Sequence, residues 1–430
     1  MLTRDRAARP AGRGLTGRAA PHASDGGGRP AAVVSVVAPI LGAALGATLR
    51  AGIRARTGRV GRAGGRRVVF DTNAYRDLAA DARRADVSVA DAVRQLRQEE
   101  RRAGIVAWGN PYVALELLAN LHPPDPTRRA FVECRDALAA LVAHTAGWDG
   151  EPRFEEGIEL QLCRALYGRV PRTLRAQERG VTAFARLVGV QPAAITADAT
   201  AFARSPASAP RSAQTLAAMA GMAHATVVAN ERDFVTDVLV TVLGQPAGAV
   251  PQWDAVQRDP ARRKQAVARL STEEAAAWFP GRLASRIAHL VGRPVIDPAA
   301  GARGERRLRR HAATIQARYP LACTLYLEVL CRTLAEGANV AKPAHANWVW
   351  DLFVAASASP ERRGLLGSRP PAILVATDKS IRGAARALSP ASAVYAYKDY
   401  RQALASGSTA AGLPAPPGGE ASCLQRVYRR

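Results

Sequence analysis

Four acidic residues stand where carboxylates can do chemistry. Asp71 follows directly on the short apolar run Arg67–Phe70, and Asp378 follows in the same way on Ala372–Thr377. Glu116 and Asp351 lie inside apolar helical patterns, NPYVALELLANL and HANWVWDLFVAASA. Open parallel sheets bind ligands at the carboxyl ends of their strands, so Asp71 and Asp378 are placed to converge on one cation. Glu116 could face the same edge from the helix after the second strand. Asp351 shares a helix face with Asn347, four residues earlier. Carboxylates gathered this way need cations, because like charges otherwise force proton uptake. Oxygen donors select Mg²⁺ or Mn²⁺. Such an ion lowers the pKa of a water and neutralises charge on a phosphodiester.

Each residue also has a purely structural reading. Asp71, Thr72, Asn73 and Asp378 are good helix caps, and Glu116 could be a solvated helix residue. Asp351 differs, since a carboxylate among Trp348, Trp350, Leu352 and Phe353 is costly without a partner.

The elements that must position these acids are legible as patterns. Arg67–Phe70 reads as a buried parallel strand after Gly64–Gly65, and Gly104–Trp108 as a second. Between them lie helical patterns over Tyr75–Ala85 and Val89–Arg102, with Ser88 as a cap. Asn110 and Pro111 mark the start of a helix reaching about Leu121, before Pro123–Pro124. From Asp125 to about Glu336 the pattern is helical, with breaks expected at prolines including Pro152, Pro171, Pro192 and Pro280. Ser271 and Glu274 form a capping box, and Arg306–Arg318 and Leu321–Glu336 form a pair hinged at Pro320. A helix over Ala344–Ser357 precedes the strands Ala372–Thr377 and Ala393–Tyr397. Sheet-forming pieces thus sit at both ends of a helical middle. One α/β domain with an insertion explains this better than consecutive domains, because two strands cannot close a sheet. The expected organisation is a basic, disordered extension (1–65), a first part of the domain (66–124), a helical insertion (125–340), a second part (341–405) and a disordered tail (406–430).

Composition narrows the partner. The 430 residues carry a formal charge of +24 with a pI near 11.1, which favours a polyanion such as RNA, DNA or an acidic membrane surface. The excess is greatest over residues 1–67, whose acids are Asp5 and Asp25. Only Lys264, Lys342, Lys379 and Lys398 are lysines; arginine forks suit phosphate, though genome composition explains the bias as well. The Arg-rich runs Arg258–Arg269 and Glu305–Arg310 read first as solvated helix faces. The five cysteines form no C-x-x-C pair, and with seven scattered histidines there is no zinc spacing. A reduced, cytoplasmic chain is expected. The apolar run Ala31–Leu49 is long enough to span a bilayer. It is rich in Ala and Gly, broken by Pro39 and flanked by Arg on both sides, so membrane contact is not the favoured reading.

VVFDTNAYRDL is very similar to the opening strand and D-T-N motif of PIN-domain nucleases. NPYVALELLANL, HANWVWDLFVAASA and ILVATDKSIRGAAR resemble that family's second, third and fourth motifs, in family order. The resemblance covers roughly residues 66–122 and 340–400. It implies a PIN-like three-layer α/β fold with a short parallel sheet, interrupted here by the helical insertion. It also implies an acidic set of Asp71, Glu116, Asp351 and Asp378 that is both catalytic and metal-holding. Thr72 or Asn73 would support Asp71 from behind, with Asn347 and Thr377 as further supports. Two departures stand out. The insertion is longer than the domain, and Ser380 and Ile381 stand where many members carry another acid.

The resemblance implies a Mg²⁺- or Mn²⁺-dependent endonuclease, with RNA favoured over DNA, whose insertion selects substrate, forms a lid or binds a protein partner. Three other readings compete. One is a nucleic-acid-binding or interaction protein with a decayed site, and another is a toxin ribonuclease paired with an antitoxin. The third is a phosphatase resembling the haloacid dehalogenase group, which would need a second acid where Asn73 stands and would use Lys379.

Overall fold

Val68, Val69 and Phe70 are fully buried, as a strand covered on both faces requires. The computed structural model describes residues 66–243, 260–270, 273–293 and 302–408, apart from 341, 343–344, 346, 359–360, 364–366, 370–371 and 389–392. The extension 1–65, with its apolar run, and most of the tail lie outside the described residues, as does Ser271 of the expected capping box.

The described strands are β1 (Arg66–Phe70), β2 (Ile105–Ala107), β3 (Glu361–Arg363), β4 (Gly367–Arg369), β5 (Ile373–Val375) and β6 (Val394–Tyr395). β3 and β4 form an antiparallel pair that the sequence patterns did not indicate. The others form one parallel sheet in the order β2-β1-β5-β6. Val68 pairs with Ala107 on one side and Ile373 on the other, so β1 is central. The chain leaves β1 towards β2 and returns to β5 on the opposite side. The carboxyl end of β1 is therefore a topological switch point, where such sheets open a crevice.

Caps fix how helices leave these strands. Asp71 caps α1 (Thr72–Arg84), Ser88 caps α2 (Val89–Arg102), and Asn110 with Pro111 starts α3 (Pro111–Ala119). Gly104, at φ +71°, turns the chain from α2 into β2 in a conformation that favours glycine. The middle of the chain supplies α4 (Arg129–Thr145), α5 (Ile158–Tyr167), α6 (Arg172–Val190), α7 (Pro192–Arg204), α8 (Arg211–Leu243), α9 (Pro260–Leu270), α10 (Glu273–Leu290), α11 (Ala302–Arg318) and α12 (Pro320–Ala335). After it come α13 (Trp348–Ala355), α14 (Lys379–Leu388) and α15 (Tyr397–Ala405). The result is an α/β chain, mostly helical around a short parallel sheet.

Several expectations are corrected. Pro280 lies within α10 and does not end it. Burial of Phe279, Leu283, Ala284 and Ile287 on that helix offsets the hydrogen bond the proline cannot donate. The helix that carries Asp351 runs Trp348–Ala355, and the His345 ring before it bonds the Asn339 carbonyl; Ala344, its expected start, lies outside the described residues. α15 is additional to the expected elements. Cys134, Cys163 and Cys323 are free and buried, but Cys331 is disulfide-bonded, so the chain is not wholly reduced. Spacing alone does not reveal such pairing. No helix among the described residues is long and apolar enough to cross a membrane.

A buried polar network holds β1 from beneath. Phe70 packs against the His144 ring at 4.7 Å and edge-on against Tyr400 at 5.6 Å. His144 Nδ1 meets the Tyr75 hydroxyl at 3.2 Å, and its Nε2 meets Glu100 Oε2 at 2.9 Å. The Tyr400 hydroxyl donates to Glu100 Oε1 at 2.9 Å. The network joins α1, α2, α4 and α15 directly under the strand that ends in Asp71. Tyr400→Phe removes one donor from the buried Glu100 carboxylate and should cost about 1.5–3 kcal/mol. Urea unfolding of the full chain measures that loss.

Candidate active site

Asp71 is the first residue beyond β1 and is 4% exposed. Its backbone N–H donates to the Val375 carbonyl at 2.9 Å, extending the β1–β5 pairing by one step. Its two carboxylate oxygens do different things. Oδ1 accepts the Ala74 N–H at 2.6 Å, which caps α1, and Oδ2 accepts the Thr377 N–H at 2.9 Å. The cap reading of Asp71 therefore holds, and it is compatible with a place in a site.

The four acids line one cavity of about 100 Å³, together with Thr72, Asn73, Arg76, Asn347, Trp348 and Val354. That is room for several waters or a partly hydrated ion, and well below the about 300 Å³ at which small-molecule pockets begin. Four separate segments contribute: the end of β1, the middle of α3, the first turn of α13 and the loop after β5. Asn347 and Asp351 do share a face, since both reach the cavity.

Each carboxylate has a different environment. The Thr72 hydroxyl donates to Glu116 Oε2 at 2.5 Å. Thr72 therefore supports Glu116 and not Asp71, because as the first residue of α1 it turns towards α3. Asn73 is exposed and lies 3.5 Å from Arg76, so it does not support Asp71 either. Thr377 supports Asp71 through its backbone, while its hydroxyl donates to Asp77 at 3.0 Å. Asp378 Oδ1 accepts the N–H groups of Ser380 and Ile381 and caps α14. Asp351, half-buried, accepts no hydrogen bond from any described residue.

The charges strain against one another. Burial pushes the Asp71 carboxyl up to about 7, helped by Glu116 and Asp378 and opposed by its two backbone donors. Burial also raises Glu116, with Glu231 adding to the rise and Thr72 and Arg76 opposing it. Asp351 is raised well above the ordinary carboxylate range by burial, then by Asp378, Glu116 and Asp71. This is the proton uptake that uncompensated carboxylates are forced into.

The set fits a divalent cation in chemistry: oxygen donors only, confined together, with one carboxylate that has no hydrogen-bond donor among the described residues. As the side chains stand, no three His, Cys, Asp or Glu residues among those described are gathered closely enough to hold a metal ion. The physical reason lies in the hydrogen bonds, since Asp71, Glu116 and Asp378 each turn towards protein donors.

Two participants were not read from the sequence. Arg76, one turn into α1, is the cation among the lining residues, and its Nη2 lies 3.2 Å from the Cys134 sulfur. Glu231, on α8, accepts the Trp350 indole N–H at 3.0 Å beside Asp351, and burial raises its pKa. The i+4 relation of Arg76 to Thr72 could have flagged the first. Glu231 carries no local signal, because a contact across 119 residues brings it there. Ser380 and Ile381, which stand where many members of the resembled family carry another acid, are buried within α14.

Folded Asp71 titrates near 7, against an ordinary 3.8, so the folded state keeps a proton that the unfolded state has released. The stability this confers is fully present below 3.8 and is lost as pH rises to about 7. In chelator, wild-type stability measured relative to Asp71→Asn should therefore fall across that window. A difference that stays flat with pH, followed by urea unfolding, contradicts the assignment.

Comparison of the chain with protein-family models, curated proteins and solved structures finds no match, so the site is read from its own residues.

Proposed function

We propose that the chain is a PIN-like, Mg²⁺- or Mn²⁺-dependent endonuclease acting on RNA. One observation carries the reading. Asp71, Glu116, Asp351 and Asp378, the residues the four-motif resemblance implies, line a single cavity at the carboxyl edge of the parallel sheet. Three of them are separated from Asp71 by 45 to 307 positions in the numbering, so their meeting is a product of the fold.

In this reading Asp71 and Asp378, at two adjacent strand ends, would hold the cation. Glu116 approaches from α3, oriented by the Thr72 hydroxyl, and Asp351 offers the carboxylate with no other donor. A divalent cation there supplies charge neutralisation at a phosphodiester and acidifies a water for in-line attack. Arg76 at the cavity edge supplies a guanidinium fork to a phosphate oxygen. Asn73 and Asn347 offer amides for orienting the strand. The basic charge of the chain draws a polyanion and favours RNA or DNA over a neutral substrate.

A second reading is favoured by the buried Ser380 and Ile381, which leave the acid set one short of many relatives in the resembled family. In that case the chain binds nucleic acid through a decayed site. The phosphatase reading loses support, since Lys379 is exposed and is not among the cavity-lining residues.

Cleavage of labelled RNA and DNA in Mn²⁺ separates these readings. Asp71→Asn and Asp378→Asn should each reduce RNA cleavage by about a hundredfold or more, the loss of several kcal/mol of charge stabilisation. Cleavage that survives both substitutions sinks the nuclease assignment, and binding without turnover supports the decayed site.

A further inference from the structure

Helix α11 carries four arginines on one stripe. Arg303, Arg306, Arg307 and Arg310 fall at positions i, i+3, i+4 and i+7, which a helix brings to a single side. All four are exposed, and none forms an ion pair with any described residue. The acid of this helix, Glu305, is held instead by Arg309. The core-facing side is separate, with His311, Ala312 and Ile315 buried. Apart from Arg307, which contacts Tyr167, the stripe takes no part in attaching the helix.

The surroundings reinforce the charge. The Arg307 guanidinium sits 5.7 Å from the centroid of the Tyr167 ring on α5, a cation–π contact that fixes its position. Tyr167 meets the His311 ring edge-on at 5.4 Å. Arg293, beyond α10, also faces Tyr167, and Arg307 and Arg310 both face His311. Like charges three and four residues apart on a helix destabilise it. An anionic partner offsets that repulsion; in its absence the stripe is a net cost.

We propose that this stripe binds the sugar–phosphate backbone of a single nucleic-acid strand. Arginine forks match phosphate oxygens, and a row of cations along one face tracks the backbone of a single strand. The stripe shares no residue with the lining of the acidic cavity, and it binds whether or not that cavity cleaves. The Arg-rich run that reads from sequence as a solvated face thus becomes a docking surface.

Fluorescence anisotropy of a labelled single-stranded RNA with the full chain, in EDTA so that no cleavage intervenes, tests this. Replacing the four arginines by Gln should weaken binding at least about tenfold at ~0.1 M salt. It should also lower the slope of log K against log salt by about 3, at ~0.7 per phosphate contact. Replacement by Lys, which keeps the charge, should stay within about threefold of wild type. Should the fourfold Gln variant not melt like wild type, Arg310→Gln alone should lower the slope by about 0.7. Wild-type affinity and slope in the Gln variant overturn the proposal. So does stripe-dependent binding to anionic phospholipid vesicles with no binding to RNA.

Discussion

The parallel pairing of β1 with β5 is the constraint on which the remainder of the site depends. Val68, Val69 and Phe70 register with Ile373, Leu374 and Val375, and the pairing continues into Asp71 N–H to Val375 and Thr377 N–H to the Asp71 carboxylate. That last bond links residues 306 positions apart. A slip of one residue would turn every side chain of β1 to the other face. The apolar residues of β1 and the polar end that follows them thus fix one register between them. Closing so long a loop is entropically dear, though the cost grows only slowly with length.

From that pairing follows an electrostatic tension. Asp71 and Asp378 both cap helices, so each is stabilised by backbone N–H groups at a helix start. Glu116 and Asp351 have no such support from their own helices, which they occupy away from the first N–H groups or without accepting one. Glu116 borrows the Thr72 hydroxyl, whereas Asp351 has no donor among the described residues. The fold thus assembles more negative charge than its own donors balance. Glu100, by contrast, is satisfied by His144 and Tyr400, and the imbalance among the four acids is what marks a candidate site.

Much of this was legible in the sequence, for identifiable reasons. An acid after an apolar run is a local pattern, so Asp71 and Asp378 could be placed at strand ends before any contact was known. Asn110–Pro111 and Ser88 start their helices as expected, because a cap needs only neighbours within three residues. What could not be read depends on distant partners. Thr72 belongs to the same three-residue motif as Asp71, yet it serves Glu116, since only the packing of α1 on α3 decides where its hydroxyl points. Local rules make Pro280 a helix break, and the apolar face of α10 overrides them. The disulfide at Cys331 left no trace in spacing.

The same distinction changes the meaning of the long helical middle. Read along the chain it is an excursion between two halves of a sheet domain, but in space it is joined to the site. α8 places Glu231 against Trp350, next to Asp351. Asn230, the residue before Glu231, accepts from Arg286 of α10 at 3.0 Å, and Arg286 also bonds Glu159 of α5 at 2.7 Å. Glu159 in turn lies 3.4 Å from the hydroxyl of Tyr112, one turn before Glu116 on α3. Polar contacts thus run from the helix that carries one cavity acid, through the helices of the middle, to the helix that carries another. Phe131, Leu138 and Leu141 of α4 belong to the same continuous core as β1. The inserted helices are therefore part of what fixes the distance between Asp351 and Glu116.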